Sequence, residues 1–278
     1  MIIHGMQGLG DNIYQRAFIS QIDEEVYLRT PWVELYEDMP HVKCTRPQTR
    51  LRTQAKNVRN QEHWYQEPKG HAKVISYGKE GIFTGMARAF GFAPGVLNLP
   101  LYGAVSSDCP YIVLRPVSVR REWLTPSRNP LPQYVAEAAQ IARDAGFKVV
   151  SIADLAQGEE WALEPLPVAD VQYHHGELNV RQLLALVQHS AFVVGGIGWL
   201  VPAALAYRKP AWIVAGGYGG YNAPDKITHN SLDLSNMHFA LPDHFCKCFD
   251  PKHNCQKHIT NHADKFTKWL RQYSDLVS

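Results

Sequence analysis

Residues 191–214 read AFVVGGIGWLVPAALAYRKPAWIV, and this stretch decides the fold. Ala191 to Val194 is an unbroken apolar run short enough for a buried strand. Gly195-Gly196-Ile197-Gly198 is a glycine turn, Val201 to Tyr207 an apolar helical segment, and Ala211 to Val214 a second buried strand. Strand, turn, helix and strand in immediate succession make the unit of a parallel sheet covered on both faces. The same grammar runs upstream. Tyr111 to Leu114 and Lys148 to Ile152 read as strands, and Asn179 to His189 as a helix. Between the two strands lies the clearest helix of the chain, Pro132 to Ala145. Pro132 suits its first turn, Val135, Ala138, Ala139 and Ala142 form an apolar stripe, and Gly146 stops it.

The N-terminal part repeats the pattern more loosely. Met1 to His4 reads as a strand, Gly8-Leu9-Gly10-Asp11 as a glycine turn, and about Asn12 to Gln21 as a helix. Strands at Val26–Leu28 and His41–Cys44 follow, with a short helical patch at Trp32–Glu37 and a helix at Ile82–Phe90. Glycines and prolines then mark a loop through about Pro110. The expectation is an α/β protein of two Rossmann-like domains facing a cleft. Residues 1–108 form the first and 109–262 the second. A closing helix within 263–278, from Asp264 to Tyr273, is expected to pack back on the first domain.

With 45% apolar and 19% charged residues in 278, the chain has the composition of a globular core and the length for two domains. A net charge of +2 is too mild to argue for nucleic-acid binding. Met1-Ile2-Ile3-His4-Gly5 lacks the basic start and long apolar core of an export signal. The most apolar window, Ser190 to Ala206, is broken by Gly195, Gly196, Gly198 and Pro202, so no membrane span is expected. Together these features point to the cytoplasm. Cysteine usage agrees, because five cysteines without an export signal argue against a disulfide framework. Cys246, Cys248 and Cys255 lie close to His258, a donor set for a tetrahedral structural zinc, with His253 or His262 as substitutes for the fourth ligand. Reduced cysteines packed as small hydrophobes are the plainer alternative.

Three glycine turns end apolar strands: Gly8 to Asp11, Gly195 to Gly198, and Gly216-Gly217-Tyr218-Gly219-Gly220. Such turns let backbone N–H groups approach a phosphate or sugar, and the following helix adds partial positive charge. The candidate substrate-binding residues are therefore Gly8, Gly10, Asn12, Gly195, Gly196, Gly198, Gly216, Gly217 and Tyr218, with Trp199 able to stack on a base or sugar. Ordinary tight turns are the alternative, and none of the three is the dinucleotide fingerprint. Asp11 stands where a helix begins, either as an N-cap or as a carboxylate at the cleft edge. Arg115, Arg120 and Arg121 follow the first strand of the second domain, where guanidinium forks suit a diphosphate. A solvated basic loop is the other reading. Arg46, Arg50, Arg52, Lys56 and Arg59 form a stretch without acidic residues. It reads as a solvated face or mobile loop, or, if it lines the cleft, as an attractant for an anionic acceptor.

In this order and spacing the residues resemble the lipopolysaccharide heptosyltransferases of glycosyltransferase family 9, which have the GT-B fold. The likeness rests on Gly10-Asp11 after the first strand and on the strand, basic residue, loop and helix from Tyr111 to Ile152. It rests also on Gly176 to Gly195 and on the closely spaced Cys246, Cys248 and Cys255. It covers most of residues 1–20 and 111–260. The donor segment departs from the family pattern Val-Gly-x-Asp-(Ser/Thr)-Gly followed by x-x-His-Leu. Here Val194-Gly195-Gly196-Ile197-Gly198 is shorter and lacks the aspartate, and Val201-Pro202 stand in place of His-Leu. The resemblance implies transfer of a sugar, with inversion, from a nucleotide-sugar to a hydroxyl on a saccharide, a protein or a modified nucleic acid. Asp11 would be the general base. Arg115 with Arg120 or Arg121, and the N–H groups of Gly216 and Gly217, would hold the leaving diphosphate. No catalytic metal is expected, because the sequence has no Asp-x-Asp clamp. The missing aspartate keeps two alternatives open: an inactive nucleotide- or polyanion-binding protein, and a sugar-nucleotide epimerase or hydrolase of the same fold.

Overall fold

The computed structural model describes residues 1–103, 105 and 107–276. Strands β1 (Ile2–His4), β2 (Val26–Arg29), β3 (Val42–Thr45) and β4 (Ala72–Val74) form a parallel sheet in the order β3-β2-β1-β4. Helices α1 (Leu9–Ile19), α2 (Arg52–Asn60) and α3 (Ile82–Phe90) accompany it. The second sheet is built from β5 (Tyr111–Leu114), β7 (Lys148–Ile152), β9 (Val171–Tyr173), β10 (Val193–Gly196), β11 (Ala211–Val214) and β12 (Met237–Ala240). Its order is β12-β11-β10-β5-β7-β9, again all parallel. A small antiparallel pair, β6 (Ser118–Arg120) with β8 (Glu160–Ala162), stands beside it. The helices of this half are α4 (Pro132–Asp144), α5 (Val180–His189), α6 (Leu200–Ala206), α7 (Gly219–Asn222), α8 (Pro224–Ile227) and α9 (His262–Leu270).

The alternation of side chains along the second sheet explains why its central strands β5, β10 and β11 read as apolar runs. Ile112, Leu114, Val149, Val194, Trp212 and Val214 pack under α4 and α9. Val113, Val150, Val193 and Ile213 belong to a second cluster with α5 and α6, which continues into Ile3, Ile13 and Leu28 of the first half. The two Rossmann-like units therefore share a core at their junction, where α1 lies against α6. No helix among the described residues is long and apolar enough to cross a membrane.

Several elements differ from the sequence expectation. Helix α1 begins at Leu9 because Gly8, extended at φ −67° and ψ 144°, is its N-cap. Asp11 thus sits inside the first turn, where the helix dipole favours a carboxylate. The closing helix α9 packs on α4 and on Trp212 of the second unit, with Phe266 and Trp269 ring centres 5.2 and 5.5 Å from Trp212, where packing on the first unit was expected. Apolar residues at 266, 269 and 270 are satisfied by whichever sheet face is open, and the nearest is that of the second unit. Helix α2 and strands β4 and β12 were not legible. They are short; β4 is half-exposed, and α2 buries polar residues at helical spacing, so apolar content does not mark them.

The topology fixes where a ligand sits. In the first sheet the chain winds from β1 outward to β3, then returns to place β4 on the other side of β1. In the second it winds from β5 outward to β9, then crosses to β10 on the other side of β5. Each reversal opens a crevice at the carboxyl ends of the strands. Those ends carry Gly8–Asp11 and Tyr77 in one unit, and Arg115 and Ile197–Trp199 in the other, and all line one cleft of about 1220 Å³.

Candidate active site

The turn between β1 and α1 is held from beneath by Asn12, which is fully buried. Its amide donates to the carbonyls of Met6 (2.6 Å) and Gly8 (2.9 Å), and its Oδ1 accepts from Thr30 (2.6 Å) and Gln15 (2.9 Å). Asn12 is therefore a brace under the turn and not a lining residue, which corrects its assignment as a substrate contact. The neighbouring Asp11 turns back to accept the backbone N–H of Gly8, one half of a capping box. Burial raises its pKa to about 6, against the opposing pull of the Arg128 charge and the Gly8 N–H. A cleft carboxylate that ionises just below neutral pH is suited to take a proton. Gly10 allows the two units to meet: a Cβ there would lie 3.0 Å from the Cα of Trp199. Only glycine lets the start of α1 approach the start of α6 this closely.

Across the cleft stands a group of guanidiniums organised by one carboxylate. Glu160, 3% exposed, pairs in register with Arg120. It accepts from Ser118 Oγ (3.0 Å) and lies 2.7 Å from Arg120 Nε, 3.2 Å from Arg52 Nη2 and 3.5 Å from Arg115 Nη2. Three arginines on one carboxylate leave an excess of positive charge. Burial, and then the nearby Arg120, lower the Arg115 pKa to about 10. Arg128 donates from Nη2 to the carbonyl of Ile197 (2.8 Å) and lies 5.7 Å from the ring centre of Trp123. Its buried Nε has no partner among the described residues. Sequence reasoning stopped at Arg121 and missed Arg128, although it follows in the same loop, just before α4. An arginine ahead of a helix N-terminus, after the first strand of a doubly wound unit, was the available signal.

The structure sorts the remaining candidates. Gly8, Gly10, Gly198, Trp199 and Tyr218 line the cleft beside Arg115 and Arg120. Gly195, Gly196, Gly216 and Gly217 stand behind its wall, where a Cβ would meet Leu200, Pro130, the Asn129 carbonyl and Cys255 respectively. Gly216 and Gly217 are needed for the close packing of loops, whereas Gly195 and Gly196 end β10. Arg121 is exposed, and its backbone N–H donates to the Glu159 carbonyl (2.8 Å), away from the cleft. The basic stretch is neither a mobile loop nor simply a solvated face. Arg52 pairs with Asp154 (3.1 Å) as well as Glu160, and Lys56 donates to the Gly176 carbonyl (2.8 Å), so α2 ties the first unit to the second. Arg46, Arg50 and Arg59 remain exposed.

The cysteines gather in the loop after β12. Cys246, Cys248, His253 and Cys255 place one ligand atom each within 4.8 Å of all the others. Cys248 and Cys255 sulfurs are 3.5 Å apart, and His253 Nδ1 lies 3.5 Å from Cys246 and 3.4 Å from Cys255. Bonds of about 2.3 Å to sulfur and about 2.0 Å to nitrogen give tetrahedral edges of roughly 3.5–3.8 Å, so this donor set fits a thiolate-bound metal. The histidine that joins the three cysteines is His253, the substitute, and not His258. The ring of His258 faces the Tyr134 hydroxyl (3.4 Å), and His262 is buried between Glu137 and the indole N–H of Trp212 (3.1 Å).

No model of a known protein family matches the sequence. No curated protein matches it either. Solved structures do. TibC, an iron-containing dodecameric glycosyltransferase from enterotoxigenic E. coli H10407, superposes with a TM-score of 0.62 at 16% identity, covering 99% of this chain and 74% of that one. TibC has also been solved in complex with ADP-D-beta-D-heptose. E. coli ADP-heptose lipopolysaccharide heptosyltransferase II gives a TM-score of 0.57 at 12% identity, over 98% of both chains. The glycosyltransferase family 9 protein of Veillonella parvula DSM 2008 gives 0.52 at 10% identity, over 78% of this chain and 80% of that one. The chain therefore has the two-domain GT-B fold of the family 9 heptosyltransferases.

Proposed function

We propose that the protein transfers a sugar, with inversion, from a nucleoside-diphosphate-sugar to an acceptor hydroxyl. The observation that carries this reading is the facing of Asp11 and the Arg115–Arg120–Arg128 group across one cleft. Asp11 takes the proton of the acceptor hydroxyl. The hydroxyl oxygen attacks the anomeric carbon from the face opposite the leaving group, and the bond from that carbon to the β-phosphate oxygen breaks. Its electron pair leaves on the diphosphate, whose growing negative charge meets guanidiniums already in place. Trp199 and Tyr218 offer aromatic surface to the sugar or base. A metal held by Cys246, Cys248, His253 and Cys255, zinc or iron, would cross-link its loop. ADP is the first nucleotide to test, given the ADP-heptose bound by TibC.

Arg128→Ala removes a charged donor from the leaving-group side and is expected to weaken ADP binding by about 1.5–3 kcal/mol, roughly 10- to 150-fold. Isothermal calorimetry on variant and parent checks this, and equal affinities would move the diphosphate elsewhere. A second reading has its own observation: Ile197-Gly198-Trp199, the cleft wall after β10, carries no carboxylate. That favours a nucleotide-binding protein without transfer. Donor binding with no nucleoside diphosphate released, over a range of saccharide and protein acceptors, would select it.

A further inference from the structure

The cysteine loop packs backbone to backbone against the two loops that carry Tyr218 and Arg128. On one side, Gly219 and Gly220 donate their N–H groups to the carbonyls of Cys246 (2.9 Å) and Cys248 (3.0 Å). The Cys255 sulfur accepts the N–H of Tyr218 itself. This contact leaves no room for side chains. A Cβ on Gly217 would overlap Cys255, one on Gly219 would lie 2.7 Å from Phe245, and one on Gly220 would lie 2.6 Å from Phe249. On the other side, Ser127 donates from both its N–H (3.3 Å) and its hydroxyl (2.8 Å) to the Pro251 carbonyl, and Lys257 donates to the Pro126 carbonyl (2.6 Å). Ser127 immediately precedes Arg128.

Tyr218 also holds an uncommon backbone conformation. Its φ is +59°, in the left-handed region that glycine enters readily and tyrosine does not. Such a residue stays put only when its surroundings over-determine it, and strain of this kind gathers at ligand sites. Here the surroundings are the ligand-bearing loop. Three of its four metal ligands contact the 216–220 turn through their own carbonyl or sulfur atoms, Cys246, Cys248 and Cys255.

We propose that metal occupancy of the Cys246–Cys248–His253–Cys255 cluster sets the affinity of the cleft for the donor nucleotide, by fixing the two loops that position Tyr218 and Arg128. The inference rests on the donor-site reading above and adds to it a dependence on metal. The hydrogen bonds above join the loop to its neighbours but leave its four donor side chains unlinked; an ion would close the loop on itself and stiffen the carbonyls that Gly219, Gly220 and Ser127 use.

The test measures ADP affinity by calorimetry on the full chain as purified, after removal of metal with a chelator, and after zinc is restored. Metal content is read by elemental analysis and folding by far-ultraviolet circular dichroism. The expected result is a Kd at least tenfold higher in the stripped protein, with an unchanged far-ultraviolet spectrum and recovery on adding zinc. Equal affinity in stripped and loaded protein would overturn the coupling alone, and so would a chain that takes up neither zinc nor iron. Absence of nucleoside-diphosphate binding in the loaded protein would remove the donor-site reading, and the coupling with it. Gly219→Ala supplies an arm that does not depend on the stripped protein staying folded. It pushes the turn off Phe245 and the Cys246 carbonyl while leaving every ligand in place. It is expected to keep one metal per chain and to raise the ADP Kd at least fivefold, and a parental Kd would count against the proposal.

Discussion

Replacing Asp11 with asparagine is expected to cut sugar transfer by about 10²- to 10⁴-fold while ADP binding persists, because an amide cannot accept the acceptor's proton. Folding should not suffer. Asparagine can accept the Gly8 N–H as the carboxylate does, so the first turn of α1 keeps its partner. The linkage sign supports this. The Asp11 pKa rises on folding from 3.8 to about 6, so the folded chain holds this proton more tightly than the unfolded one. The stability this contributes is fully present below about pH 4 and is lost as pH rises through 6. At pH 7 the buried carboxylate is a cost that asparagine does not carry, and the variant should be at least as stable as the parent there. The rate of the parent should rise with pH through about 6 as Asp11 ionises, then level off. Turnover above about a tenth of parental in a folded Asp11→Asn variant would assign the base to another residue.

Glu160→Ala has the second large effect, and it falls on stability. The substitution leaves Arg52, Arg115 and Arg120 facing one another without their shared carboxylate. Breaking a buried ion pair from one side costs about 3–5 kcal/mol. The arginine side chains keep 22–32% exposure, so the low end, about 3 kcal/mol, is expected. For a chain of this size that lowers Tm by about 6–12 °C. Glu160→Gln, which keeps an acceptor oxygen, should recover part of the loss. A melting temperature for Glu160→Ala within 2 °C of the parent, by calorimetry, would show that solvent already compensates these charges.

Much of the fold was legible because the centre of the second sheet is buried on both faces, so β5, β10 and β11 appear as apolar runs and β7 as a nearly apolar one. The glycine turns were legible as breaks directly after buried strands, those at 195–198 and 216–220 with β10 and β11 and the one carrying Asp11 after β1. Helix α2 was not. Its buried face, Gln54, Asn57 and Val58, has helical spacing but is mostly polar, and Arg52 and Lys56 find partners on the other unit, a tertiary fact that an apolar pattern does not record. Glu160 was invisible because its meaning lies in three partners far apart in sequence. The choice of His253 over His258 depends on how the loop folds over the 216–220 turn, and both spacings satisfy a tetrahedral ion. Gly216 and Gly217 looked like phosphate-binding glycines, yet the space beside them is filled by the Asn129 carbonyl and Cys255. Glycine content marks close approach of backbone; it does not say to what.

The proposed transfer stands on the binding of a nucleoside-diphosphate-sugar in this cleft by the arginine group opposite Asp11. A thermal-shift screen of the purified chain against a panel of nucleotide-sugars tests it most directly, with the Arg115→Ala Arg128→Ala double variant run beside the parent. Ligand at 100 times its Kd adds about 2.7 kcal/mol, enough to raise Tm by roughly 5–10 °C. Such a rise is expected for at least one nucleotide-sugar in the parent, with its loss in the double variant. No rise with any member of the panel, or the same rise in both proteins, would contradict it.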